Sequence, residues 1–285
     1  MDELQKLQRE RDEFLNERFY EKICNLYSSR AEKYDTSKWH ADLADRLVEL
    51  TIPRLLKDRC RPIRVLDVAT GTGMVAFSMA ASLGAELAEV VGVDFAEGMV
   101  QVASRKAELA NMPNVRFLKG DFKSVAGLFP PKYFDAIVCC SAMTFVVNPE
   151  DTFRQWAVLL KEGGLLAFQQ MAESYYPEFA FIQKSFSKFG FFFPNLNSLL
   201  GTPERCQRVL LKAGYVNVEV IEESGCGHWH RPDSDVQQAC AMFPEEIPAE
   251  IVDALKEDLT NQLLDRLRPE GIWSDSKSLF VFATR

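Results

Sequence analysis

From residue 63 onward, short and almost wholly apolar runs alternate with longer stretches in which apolar residues recur every three or four positions. The runs at 63–68, 89–93, 115–118, 134–139, 164–170, 216–222 and 278–284 have the length of strands. The intervals 73–84, 97–110, 150–161 and 203–213 carry helical spacing. Apolar runs without polar alternation are strands covered on both faces, and strands separated by helices pair in parallel through right-handed crossovers. The pattern predicts a doubly wound α/β domain.

Residues 1–60 read instead as a helical N-terminal cap ahead of a core over 61–285. Leu43, Leu47 and Leu50 form an apolar stripe, and Pro53 is expected to end or kink that helix. Two segments break the later alternation: 171–202, which contains FGFFFPNLN (189–197), and 223–276, far longer than a hairpin between strands requires. Both leave strands at the end where open α/β sheets bind ligands, so both are expected to be lids. With the N-terminal helices they would form a roof that orders on ligand binding. FGFFFPNLN has the composition of a buried helix end and turn, and equally of a pocket for a flat or greasy acceptor.

At 285 residues, 47% hydrophobic and 26% charged, the chain suits one large globular domain with an appendage. A net charge of −8 and the lack of any Lys/Arg-rich block argue against a nucleic-acid partner. No apolar run approaches the roughly 20 residues that span a bilayer. The N-terminal MDELQKLQRERDEF is a mixed-charge helix former without the apolar stretch of a signal peptide. A cytoplasmic protein with a small-molecule substrate is expected, as monomer or homodimer and away from membranes. The seven cysteines, at 24, 60, 139, 140, 206, 226 and 240, show no C-x-x-C spacing, so reduced thiols are expected rather than disulfides or a metal site.

The candidate chemistry begins at VLDVATGTGMVAF (65–77). GTGMVA, from Gly71 to Ala76, fits the dinucleotide pattern G-x-G-x-x-G/A, and Asp94 ends the second strand at the distance of the ribose-binding acid. A phosphate loop is excluded because no G-K-[ST] follows. Asp67, four residues before Gly71, would repel a pyrophosphate but suits a ligand with a positive amino group. Phe95 and Met99 follow Asp94, where they can pack on an adenosine. Asp121, in LKGDF after the third strand, is placed to accept from an adenine amino group. The ligand implied carries adenosine and an amino acid, and no phosphate.

D-x-A-T-G-T-G, V-D-F-x-x-x-M, G-D, FDAIVCCSAM and LLKEGGLLAF, in that order, resemble the class I S-adenosylmethionine-dependent methyltransferases. The resemblance is strongest to small-molecule enzymes of the ubiquinone/menaquinone-biosynthesis type; it covers 61–170 and, through LLKAGYVNVEVIE, 210–222. It implies a mostly parallel seven-stranded sheet with an antiparallel last strand, and S-adenosylmethionine as cofactor. It places Asp67, Gly71 and Gly73 around the methionine moiety, Asp94 on the ribose, Asp121 and Phe122 at adenine, and Ser141 at the end of the fourth strand. Tyr34 resembles the tyrosine of an N-terminal segment that folds over the cofactor. One departure is Ala69, where the family has its first loop glycine; alanine fits there if φ stays negative.

The chemistry implied is methyl transfer to a small molecule, most simply to a hydroxyl oxygen, with C-, N- or S-methylation as alternatives. A hydroxyl acceptor calls for a general base, and histidine is scarce: His228 and His230 in CGHWH are the first candidates and His40 the third. CSAMTF stands where amino methyltransferases of nucleic acids carry D/N-P-P-Y. Two rivals remain, a nicotinamide-dependent oxidoreductase and a protein that binds the cofactor without transferring methyl.

Overall fold

Seven strands form one sheet in the order β3-β2-β1-β4-β5-β9-β6. They are β1 (Ile63–Val68), β2 (Ala88–Asp94), β3 (Val115–Lys119), β4 (Phe134–Cys139), β5 (Leu160–Met171), β6 (Val216–Glu223) and β9 (Ser278–Thr284). The computed structural model describes residues 3–56, 62–84, 88–173, 177–225, 228–231, 236, 239–240, 243, 247–274 and 276–285. β1 to β5 pair in parallel, and β9 inserts antiparallel between β5 and β6. The doubly wound sheet with an antiparallel closing strand is the architecture expected from the sequence. Every residue of β4 is buried, as parallel strands covered on both faces must be.

The helices between the strands are α4 (Met74–Leu83), α5 (Glu97–Leu109), α6 (Pro149–Leu159) and α8 (Pro203–Lys212). Asn148 caps α6 by accepting from the Asp151 N–H, and Thr202 caps α8 by accepting from the Arg205 N–H. β5 starts four residues before the expected strand, because Leu160 already pairs with Phe134 ahead of a register shift. Reversal of strand order between β2-β1 and β4-β5 opens a crevice at the carboxyl ends of β1 and β4, the usual ligand position in such sheets.

The N-terminal helices α1 (Glu3–Phe14), α2 (Glu17–Tyr34) and α3 (Lys38–Leu56) have different packing partners. Leu43, Leu47 and Val48 of α3 belong to the main core, against α4 and β5. Pro53 does not end α3, which runs on to Leu56. The proline removes one helical N–H, the one that would reach the Glu49 carbonyl, while the Thr51 hydroxyl and the Arg54 guanidinium donate to the carbonyls of Leu47 and Leu50. α2 packs on α5, while α1 lies against the turn that follows β4.

The two inserts fold on each other. Residues 171–202 contain α7 (Pro177–Lys188); residues 223–276 contain β7 (His228–His230), α9 (Ala249–Leu264) and β8 (Ile272–Ser274). Ile182, Phe186, Phe193, Leu255, Leu259 and Leu263 form a second apolar cluster, separate from the core of the sheet. Phe14 of α1 joins it through an edge-on contact with Phe193, ring centroids 4.9 Å apart. Among the described residues, no helix is long and apolar enough to cross a membrane.

Candidate cofactor and acceptor site

The glycine loop is held from three sides. Ala69, Gly71 and Gly73 all have positive φ, at +56°, +57° and +88°. The condition under which alanine was expected to be harmless at position 69, a negative φ, is not met: Ala69 sits in the left-handed region. The cause is local, since the next residue is fixed twice: its N–H reaches the Val93 carbonyl at 3.0 Å and its hydroxyl reaches Asp67 Oδ2 at 2.6 Å. At Gly73 a Cβ would lie 2.7 Å from Phe117 and 2.8 Å from Phe77, so glycine is required by space as well as by φ. At Gly71 a Cβ would meet only Tyr34, at 3.8 Å, so the loop faces open space beneath that ring.

Two buried carboxylates flank this loop. Asp94 Oδ2 accepts the Gly71 N–H at 2.8 Å and Oδ1 the Ala96 N–H at 2.9 Å. Burial raises the Asp94 pKa, opposed by the N–H groups of Ala96, Gly71 and Phe95. Burial raises Asp67 to about 7, against the Thr70 hydroxyl and the Ala76 N–H, with Asp94 adding to the rise. Among the described residues neither carboxylate is in an ion pair. Two adjacent buried acids without a cation are costly, and fit a ligand that brings positive charge.

The cap closes the loop's outer side. Thr72 donates its hydroxyl to Asp35 Oδ1, while Lys106 binds Asp35 Oδ2 at 2.5 Å and the Thr72 carbonyl at 3.0 Å. Tyr34 stands over Gly71, Tyr27 meets Tyr34 edge-on at 6.1 Å, and Phe145 meets Tyr27 at 6.1 Å. These rings lead from the loop to the turn after β4. Phe95 is half-buried between α2 and α5, and its carbonyl receives the Cys24 thiol at 3.5 Å. Met99 is 1% exposed and packs with Ala31, Ala96 and Val102 in the same interface. Phe122 is buried, with its ring 6.2 Å from Tyr20. Asp121 is half-exposed; Oδ1 accepts the Lys123 N–H at 2.8 Å and Oδ2 lies 3.5 Å from Lys123 Nζ.

The carboxyl ends of β4 and β5 carry a buried polar network. Ser141, with φ +56°, donates both its N–H and its hydroxyl to Gln169 Oε1, at 3.1 and 3.2 Å. Gln170 Nε2 donates to Asn197 Oδ1 at 3.1 Å, and Thr144 Oγ1 donates to the same oxygen at 2.8 Å. Above it, α1 and α2 grip the turn. Arg11 Nη2 donates to the Thr144 and Val146 carbonyls, Tyr20 to that of Phe145 and Gln8 to that of Val147. Sequence reasoning missed Arg11, Gln169, Gln170 and Asn197. The one signal was a pair of amides closing an otherwise apolar strand.

Of the three histidines, His40 is described with its side chain. The His40 ring is 4.8 Å from that of Tyr34, and its Nδ1 is 2.6 Å from Ser37 Oγ. His228 and His230 lie in β7 of the two-stranded β7–β8 ribbon, in register with Ser274 and Ile272. Their side chains lie outside the described structure. Among the described residues no group of three His, Cys, Asp or Glu is placed to hold a metal.

A methyltransferase-domain family matches residues 65–164. A demethylmenaquinone methyltransferase of Thermus thermophilus is 35% identical over 147 residues, 50% of this chain and 62% of that protein. The ubiquinone/menaquinone biosynthesis C-methyltransferase UbiE of Coxiella burnetii is 27% identical over 202 residues, 68% of this chain and 76% of that protein. The chain thus spans less than two thirds of the Thermus relative. Among solved structures, the YcgJ protein of Bacillus subtilis superposes with a TM-score of 0.57 at 20% identity, over 84% of this chain and 98% of that one. Residues 65–164 are thus similar to a methyltransferase domain, and the fold is that of a solved structure of the same architecture.

Proposed function

We propose that this chain transfers the methyl group of S-adenosylmethionine to a small, flat, hydroxyl-bearing acceptor beneath the aromatic face of α1 and α2. The supporting observation is the uncompensated pair Asp67 and Asp94 flanking a left-handed loop under Tyr34. The cofactor supplies an activated methyl on a sulfonium, together with an ammonium and a pair of ribose hydroxyls. Asp94 takes the ribose hydroxyls with the lone pairs left over from Gly71 and Ala96. Asp67 faces the positive amino-acid end, Gly71 and Gly73 let backbone approach it, and Tyr34 covers it. Phe95 with Met99 behind it, Asp121 and Phe122 frame the adenine, and Ser141 marks the border with the acceptor.

The atom methylated is a hydroxyl oxygen. The base that removes its proton is sought first at His40, whose ring contacts Tyr34 over the loop, with His228 and His230 as the other imidazoles. A second reading, methylation of a ring carbon beside that hydroxyl, is favoured by the C-methyltransferase named among the relatives. The protein's share of the rate is orientation and exclusion of water, which account for several kcal/mol in good cases, up to about 7–11 in intramolecular models.

Calorimetry with S-adenosylhomocysteine and with NADH tests the cofactor assignment; tight NADH binding in its place would sink it. Incubation with labelled methyl donor and a metabolite extract should give a product heavier by one CH2 unit. A product that has lost its titratable hydroxyl supports the oxygen, and one that keeps it supports the carbon.

A further inference from the structure

The turn after β4 is held by three side chains, and one of them is the wrong kind for that task alone. Gln8 and Tyr20, both neutral, satisfy the carbonyls of Val147 and Phe145. Arg11 does the same for Thr144 and Val146, yet it brings a full positive charge to a position only 2% exposed. Burying a guanidinium costs far more than burying an amide, unless an anion meets it. Burial presses its pKa down to about 10, with Tyr20 and Asp12 opposing the shift from nearby. Among the described residues no carboxylate pairs with Arg11, and its Nε–H is buried without a hydrogen-bond partner.

The surroundings supply donors. Thr144, whose carbonyl Arg11 holds, gives its hydroxyl to Asn197 Oδ1. Gln170 Nε2 is fixed by the Met171 carbonyl at 2.9 Å and also donates to Asn197 Oδ1, which sets the amide's orientation. Asn197 therefore turns its N–H groups away from this oxygen, and among the described residues they have no partner. Arg11 and Asn197 meet at one turn, at the carboxyl ends of β4 and β5, where an acceptor beside the glycine loop has to lie.

We propose that Arg11 is a specificity-determining residue of the acceptor site, and that the acceptor carries a carboxylate, which takes the unpaired Arg11 Nε–H with the Asn197 amide as second donor. This rests on the methyl-transfer reading above. Because the Nε–H is covered, the acceptor enters with α1 lifted from the turn and is then closed over by it.

The test uses the full chain saturated with S-adenosylhomocysteine, titrated by ligand-observed NMR with benzoate and with benzamide, its neutral isostere. Benzoate should bind about ten- to a hundredfold more tightly, the size of a hydrogen bond to a charged group. That preference should vanish in Arg11→Gln, which keeps an amide for the turn, and survive in part in Arg11→Lys. S-adenosylhomocysteine affinity should stay unchanged in both. Equal binding of the two probes to the wild type, binding of neither, or a benzoate preference that persists in Arg11→Gln overturns the proposal. The comparison in the wild type needs no variant to fold. The titrations are repeated without S-adenosylhomocysteine, so failure to bind that ligand counts against the cofactor reading and leaves the Arg11 arm readable.

Discussion

The two halves of the site are built in opposite ways. The proposed cofactor half is assembled from residues close together in sequence: Asp67, the loop from Ala69 to Gly73, and Asp94 across one parallel pairing. The proposed acceptor half draws on α1, the turn after β4, the end of β5 and Asn197, joined by contacts between residues 27, 53 and 133 positions apart. The first depends on backbone geometry and buried acids; the second depends on docking of separately folded pieces. Substitutions should therefore fail globally in one half and locally in the other.

Glycine-to-alanine changes give the sharpest contrast. Gly73→Ala forces a Cβ to within 2.8 Å of two rings at a φ of +88°. Overpacking and the left-handed cost together come to roughly 2–5 kcal/mol, so the variant should lose both S-adenosylhomocysteine binding and much of its melting temperature. Gly190→Ala, in the insert, has a φ of +79° with nothing within 4 Å of the new Cβ. It should cost only about 1–2 kcal/mol and leave cofactor affinity alone. Equal losses in the two variants would erase the distinction.

Leu259→Ala probes the insert core, where the side chain is 1% exposed. A loss of about 2–5 kcal/mol should fall on α7 and α9 alone. Hydrogen exchange should rise in α7 and α9 with β1 to β4 still protected, and turnover should drop with cofactor affinity kept. Uniform loss of protection would mean that inserts and sheet fold as one unit. Asp94→Ala makes the opposite cut: calorimetry should show cofactor affinity weaker by roughly 1.5–3 kcal/mol in a protein with intact inserts. Unchanged affinity in a folded variant removes Asp94 from the ribose.

Asp67 makes the comparison pH-dependent. Its folded pKa, about 7, lies above the usual carboxylate value of 3.8, so the folded state holds the proton more tightly than the unfolded chain. Stability of the cofactor-free protein is therefore highest below pH 4 as far as this group is concerned, and falls as pH rises through 4 to 7. A cationic ligand reverses the preference for the protonated form, so stabilisation by S-adenosylmethionine should grow over the same window. Asp67→Asn should flatten both trends, raising the cofactor-free melting temperature at pH 8 by about 2–4 °C while weakening the cofactor. A wild-type melting temperature that rises between pH 5 and 7 with Asp67→Asn unchanged would contradict the assignment of that carboxylate.

The same contrast explains what the sequence disclosed. The strands were legible because burial on both faces writes a continuous apolar run, and the loop because its glycines and acids lie within one crossover. The acceptor half was not, since nothing in RERDEF marks Arg11 as buried; that follows from where α1 docks, 133 positions from its carbonyl partner. The three-residue strands β7 and β8 are likewise too short to carry a period, and pair across the whole second insert. α3 runs past Pro53 to Leu56, and the loss of one N–H, the one that would reach the Glu49 carbonyl, is too local for composition to decide whether a helix stops there.

Ala69 is the finest test, because it is where the legible half departs from its own pattern. Its φ of +56° costs a non-glycine residue about 1–3 kcal/mol, held in place by the bonds of Thr70 to Val93 and Asp67. Ala69→Gly relieves that strain but gives the unfolded chain more freedom, which costs about 0.4–1 kcal/mol. The difference favours glycine slightly, so the melting temperature should rise by roughly 1–4 °C. Cofactor affinity should hold, since the Gly71 N–H stays tied to Asp94 and the Thr70 hydroxyl to Asp67. A lower melting temperature would mean that the surrounding bonds make the left-handed alanine inexpensive. A weaker cofactor at higher stability would instead give Ala69 a function: keeping the loop stiff for a ligand that the acceptor half must then receive in register.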